Sequence, residues 1–199
     1  MARKIRKWYP GIILHVMNLG TNHQNIFLDE SDFQFFIALI KDTQKEFPFI
    51  IHAYCLMTNH YHLLIETIDS EIWDIMKRID QFHARYFNTK YGRDGGVFRG
   101  RYKSSEIGSD EYFLQTSRYI HMNPFVANMV KEPSEYIWSS YRTFLGIIDD
   151  KLTDVTKTLK YFKNESRILY KDFVESKVEY NQMERQICKE LGKDEWLPW

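Results

Sequence analysis

Apolar residues along this chain follow two periods in alternation, and each changeover marks an element. Residues 11–18 form a short apolar run with His15 inside it, which predicts a first strand. Leu19 to Asn25 is polar and reads as a loop. Asp29, Ser31 and Asp32 then signal a helix start, and Phe33, Phe36, Ile37 and Ile40 recur at helical spacing, with Lys41, Lys45 and Glu46 off the stripe, until Pro48 stops the pattern. Residues 49–57 and 60–67 predict two strands around a tight Thr58-Asn59 connection. From Ser70 the helical period returns through Ile72, Ile75, Met76, Ile79 and Phe82, and Gly92, Gly95 and Gly96 break it. Residues 97–107 read as a long fourth strand, with Phe98, Gly100, Tyr102 and Ser104 on one face and Arg99, Arg101 and Lys103 on the other. Ser109 opens a helix running to about His121, expected to end at Asn123-Pro124.

The order βαββαβα predicts an α+β, ferredoxin-like domain: a four-stranded antiparallel sheet with helices on one face and the other face free to bind. The segment from Trp138 to Phe144 reads as a further docking segment. Beyond it the strand signals cease, and helical patterns at 155–162, 166–177 and 180–191 predict a C-terminal helical extension. The expected division is a sheet domain over 1–148 and an extension over 149–199.

Composition narrows the class. A hydrophobic content of 44% suits a globular chain, and no apolar run approaches the length of a membrane span. Met1 to Lys7 is charged, and no signal-peptide core follows it, so the expected location is the cytoplasm. Cys55 and Cys188 are too few for a disulfide framework. Net charge is zero, which argues against a nucleic-acid partner until its distribution is counted. Between Lys77 and Lys103 stand eight basic residues against two acidic ones, interleaved with Phe82, Tyr86, Phe87, Tyr91, Phe98 and Tyr102. Such interleaving suits a groove that tracks phosphates and stacks bases, which makes Arg85, Arg93, Arg99, Arg101 and Lys103 candidates for DNA contact. A solvated helix face has the same composition.

The candidate chemistry lies in the third strand and the last helix of the predicted sheet domain. Alternation puts His60 and His62 on one strand face, where two imidazoles suit a divalent metal; partly buried structural histidines would look the same. Tyr119 and Asn123 are four apart and share a helix face. A tyrosine hydroxyl can attack a phosphodiester when a metal or cations offset the charge that develops, and an amide oxygen can be a third, weaker ligand. Water, Glu66 or His121 are the substitutes for that third position. Tyr119 by itself, one of thirteen tyrosines, reads rather as a core or helix-packing aromatic.

Five ordered stretches carry a resemblance to a known family: His15-Val16-Met17-Asn18-Leu19-Gly20, residues 52–66 around Asn59-His60-Tyr61-His62, residues 97–104 (Val-Phe-Arg-Gly-Arg-Tyr-Lys-Ser), Arg118-Tyr119-Ile120-His121-Met122-Asn123-Pro124, and Trp138-Ser139-Ser140-Tyr141. Over roughly residues 9–146 the chain resembles the REP-associated tyrosine transposases, single-tyrosine members of the HUH endonucleases. The resemblance implies that His60 and His62 bind a metal ion, Mg or Mn, with Asn123 at the third-ligand position and Tyr119 as nucleophile. His15 and Asn18 of the first stretch join the expected DNA-contacting residues. It further implies cleavage of single-stranded DNA beside hairpin or palindromic elements through a 5′-phosphotyrosine, followed by strand transfer, with no nucleotide cofactor and with a homodimer as one arrangement. Two family arginines are replaced, by Leu19 and Val126. Arginine clamps phosphate bidentately, so these departures favour the alternative of a domesticated, non-catalytic binder of structured nucleic acid.

Overall fold

The computed structural model describes residues 8–176. Four strands, β1 (Ile13–Leu19), β2 (Phe49–Leu56), β3 (His60–Thr67) and β4 (Lys103–Glu106), form one sheet in the order β2-β3-β1-β4, with every pairing antiparallel. With helices α1 (Glu30–Glu46), α2 (Ile72–Tyr91) and α3 (Asp110–Val126), this is the expected ferredoxin-like α+β fold. Asp29 caps α1 by accepting from the Ser31 and Asp32 amides, while Asp32 returns the bond to the cap backbone.

Alternation divides the sheet between two cores. On one face Leu14, Val16, Ile51, Leu56, Tyr61, Leu63 and Ile65 pack against Phe33, Phe36 and Ile40 of α1 and Ile72, Ile75 and Ile79 of α2. On the other, Met17, Ala53, Cys55 and Leu64 pack against Phe113, Tyr119 and Ile120 of α3. This face was expected to be free, but α3 covers part of it. A bulge at His52, where β2 slips register against β3 between Ile51 and Ala53, serves the same face and lets the His52 ring meet Phe113 edge-on.

Three expectations change. The fourth strand is four residues long rather than eleven. Phe98 bridges Gly20 and the Arg99 amide donates to the Leu19 carbonyl, but the Asn18 side chain then captures the Gly100 carbonyl, and pairing resumes only at Lys103 opposite Met17. Residues 100–102 therefore bulge outward opposite Asn18 alone, and Arg99, Arg101 and Lys103 do not share a strand face. Secondly, α3 does not stop at Asn123 but runs through Pro124 to Val126. The proline removes one amide donor, and in the turn it disturbs Asn123 Nδ2 donates to the Tyr119 carbonyl at 2.6 Å. Thirdly, the stretch 155–162 forms only a short helix α5 (Thr156–Leu159), which follows α4 (Tyr141–Phe144).

The outer edge of β2 is covered rather than open. The Leu56 amide donates to the Trp138 carbonyl and the Ser140 amide to the Tyr54 carbonyl, so the expected docking segment adds to the sheet edge, and the Asp154 amide bonds Ile51 further along. Helix α6 (Ser166–Glu175) packs on α3, where the Tyr170 hydroxyl lies 2.6 Å from Ser117 Oγ and 2.7 Å from His121 Nδ1. The helix expected over 180–191, and Cys188 within it, lie outside the described residues.

Candidate active site

The α3 face of the sheet gathers three imidazoles and one phenol. His60 and His62 project from β3 on the same side, with ring centroids 5.0 Å apart. His15 reaches the same point from β1: its Nε2 lies 3.0 Å from His62 Nδ1, one nitrogen carrying the proton that the other accepts. Tyr119 closes the cluster from α3, with its ring 5.5 Å from that of His62 and 5.9 Å from that of His15, both edge-on. His15 and His62 are fully buried, Tyr119 is 4% exposed and His60 is half-buried, so the cluster opens to solvent at the His60 end.

Asn123, half-buried one turn beyond Tyr119, turns its amide nitrogen back to its own helix, which leaves Oδ1 as its acceptor atom. The proposed substitutes for it are committed elsewhere. Both nitrogens of His121 are engaged, with the Tyr170 hydroxyl and with Ser140 Oγ at 2.8 Å, and burial drives its pKa down to about 3, so it is a neutral structural node. Glu66 accepts from Lys157 at 2.7 Å and meets His52 Nε2 at 2.8 Å. It pairs with Ile13, whereas His60 pairs with Leu19, which puts the two at opposite ends of the strand pair, about 20 Å apart at the strand rise.

The expected DNA-contacting residues divide by location. Lys103 pairs with Met17, which pairs with His62 on its other side, so it stands in one cross-sheet rank with the cluster, two strands away and exposed. Arg99 is exposed at the Leu19 end of β1. Arg93 reaches Gln24 at 2.6 Å and stacks over Phe87. Arg101 lines a groove beside α2, and Arg85 lies with Phe82 and Tyr86 on the outer surface of α2, both on the far side of the sheet from Tyr119. His15 is enclosed by the cluster, and Asn18 points to the helical core, where its amide donates to Asp80 Oδ2 at 2.9 Å. Leu19, in place of a family arginine, is buried.

Sequence spacing missed His15 as a partner of His62, since only β-sheet register makes them neighbours. Its one signal was parity: His15, Met17 and Leu19 alternate onto the face opposite the Leu14 and Val16 core positions. Among the described residues no three His, Cys, Asp or Glu side chains are grouped to hold a metal ion. Nor is any described helix long and apolar enough to cross a membrane.

The family model for IS200-like transposases matches residues 9–123, which include β1 to β4, the His60–His62 pair and Tyr119. The structure of a REP-associated tyrosine transposase bound to a REP hairpin superposes with a TM-score of 0.61 at 19% identity, covering 78% of this chain and 94% of that one, a likeness of fold. Protein OPG030 of monkeypox virus is 29% identical over 83 residues, 42% of this chain but 35% of that protein, so the chain spans about a third of that relative's length. A model match over more than half of the sequence, on a fold shared with a tyrosine transposase, establishes that this chain belongs to the IS200-like transposase family.

Proposed function

We propose that the chain is a metal-dependent single-stranded-DNA endonuclease and strand transferase. The observation that carries this reading is the meeting of Tyr119, from α3, with the His60–His62 face of β3 in a cluster open at one end. In the proposed reaction the Tyr119 oxygen attacks a DNA phosphorus. The P–O3′ bond breaks, the 3′ oxygen leaves as a hydroxyl after taking a proton, and the 5′ phosphate stays on Tyr119. Attack by a 3′-hydroxyl reverses the step and joins strands, so the phosphodiester energy is kept and no nucleotide cofactor is consumed.

The donor set fits a weakly held divalent ion, Mg or Mn. His60 and His62 would hold such an ion through two imidazoles, with Asn123 Oδ1 as a third donor. When bound, such an ion offsets charge on the phosphate oxygens. His15 Nε2 sits against His62 Nδ1, which directs the opposite nitrogen of His62 to that role. Lys103 and Arg99, exposed on the same side or end, are the proposed phosphate contacts nearest the cluster. The proposed substrate is single-stranded DNA next to a hairpin, because the structural relative is bound to one.

Incubation with single-stranded oligonucleotides containing hairpins and Mg²⁺ or Mn²⁺ tests the proposal: a denaturant-resistant protein–DNA adduct is expected, lost in Tyr119→Phe and in EDTA. Binding without any adduct under either metal would instead support the non-catalytic binder, the reading that the buried Leu19 favours.

A further inference from the structure

On the sheet face opposite Tyr119, a groove of about 460 Å³ runs between α2 and the bulged residues 100–102. Its size is within the range of small-ligand sites. Trp73, Met76, Lys77, Gln81, Arg101 and Tyr102 are among its walls, and Asp80 lies in its lining. The carboxyl of Asp80 is held by two neutral donors from the central strands: the Tyr61 hydroxyl donates to Oδ1 at 2.6 Å and Asn18 Nδ2 to Oδ2 at 2.9 Å. Desolvation outweighs both and pushes its pKa up to about 7. A desolvated acid between neutral partners costs stability, and nothing in the Tyr119 cluster uses it, since β1 and β3 lie between them. Asn18 also shapes the opening, because its second bond, to the Gly100 carbonyl at 3.2 Å, holds the bulge that forms one wall.

Each oxygen of an ionised carboxyl accepts more than one hydrogen bond, so Asp80 in its carboxylate form retains acceptor capacity toward the groove. Two parallel acceptors match two adjacent N–H donors in one plane. Among DNA bases guanine alone presents them, as the ring N1–H and the exocyclic amine. Trp73, 38% exposed, offers a face for stacking, and Lys77 and Arg101 bring positive charge to walls that also hold the acid Asp74, where a backbone would pass on the basic side. Arg101 is two residues from Lys103, which is level with His62 on the other face, so a strand crossing the β4 edge would connect the groove to the Tyr119 cluster within a few nucleotides.

We propose that this groove is a base-reading subsite that takes an unpaired guanine of the DNA strand and recognises it through Asp80. The inference rests on the reading of the chain as a single-stranded-DNA enzyme, and its test is made on binding alone. Full-length protein carrying Tyr119→Phe, so that no adduct forms, is titrated by fluorescence anisotropy against thymine 12-mers containing one guanine, one inosine, one adenine or no substitution. The guanine strand should bind on the order of ten-fold tighter than all-thymine, in line with a bidentate base contact. Inosine, which lacks the exocyclic amine, should lose most of that gain, and Asp80→Asn should bring the guanine-to-thymine ratio to about one. Trp73→Ala, on the partly exposed wall and clear of the Asn18–Asp80–Tyr61 bonds, should lower the ratio as well, which covers the case in which Asp80→Asn fails to fold. Equal binding of guanine and thymine strands, or equal binding of guanine and inosine strands, would overturn the subsite and leave the nuclease reading in place. Absence of binding to any strand would remove the DNA reading on which it depends.

Discussion

The two faces of the sheet are built from the same strands and do different work. Along β3, Tyr61, Leu63 and Ile65 enter the core beneath α1 and α2, while His60, His62, Leu64 and Glu66 face the α3 side. The first face is closed by two long helices whose apolar stripes match it, and its value is burial, at roughly 25 cal/mol per Å² of apolar surface. The second is covered by a helix that supplies a tyrosine and leaves His60 half-open. A site placed this way borrows its rigidity from the core beneath it: neighbouring backbone positions lock the imidazoles, and no loop has to order.

Neighbouring substitutions on β3 should break this comparison most clearly. His62→Ala is expected to abolish covalent DNA capture while oligonucleotide binding persists, whereas Leu63→Ala should keep capture per folded molecule and lose about 2–5 kcal/mol in urea denaturation, the usual cost of a core cavity. Capture that survives His62→Ala would end the assignment of that face. Next in size, Asn123→Ala should weaken Mn²⁺ affinity on the order of 10–100-fold in calorimetry, with Asn123→Asp restoring it. An earlier melt at unchanged Mn²⁺ affinity would give Asn123 only its bond to the Tyr119 carbonyl. The two tyrosines provide a third contrast. Tyr61→Phe removes a donor to Asp80 and should cost about 1–2 kcal/mol with capture retained, while Tyr119→Phe should remove capture.

A dependence on pH is shared by both faces. His83, bonded to the Ile26 carbonyl under α1, and His121, bonded to Tyr170 and Ser140, are buried, and desolvation lowers their pKa values to about 4 and about 3. A base with a depressed folded-state pKa favours folding above its unfolded value, near 6.5, and loses that contribution as pH falls toward the folded value. Stability should therefore decline from about pH 6.5 downward, by up to about 1.4 kcal/mol per pH unit for each histidine. His52, whose pKa burial lowers against the pull of Glu66, adds to the same limb. His83→Gln and His121→Gln should each flatten thermal stability between pH 6.5 and 4.5. An unchanged slope in both would show that other groups carry the acid limb.

Much of the architecture was legible because it follows from local periods. The stripe Phe33, Phe36, Ile40 fixed a helix face, and alternation placed His60 and His62 together. Prediction failed where a side chain from elsewhere overruled the local signal. Residues 97–102 have strand composition, but Asn18 captures Gly100 and holds them away from the ladder. Pro124 is a helix stop by its covalent structure, yet α3 continues while Asn123 bonds the Tyr119 carbonyl and Met122 packs with Tyr141 and Tyr170. Glu66 and His121 looked available as ligands, and partners 91 and 49 residues distant had already engaged them.

By itself the sequence determined which residues share a face of a strand or helix, because the 2.0 and 3.6 periods are properties of the backbone and need no partner. Which faces meet was decided by the tertiary structure alone. Sheet register brings His15 onto His62, the crossing of α3 to the open face brings Tyr119 to both, and the helical core closes Asn18 and Tyr61 around Asp80. Those contacts join residues 19 to 104 positions apart in the chain, and they form only when the burial of two separate cores outweighs the entropy of closing the loops between them.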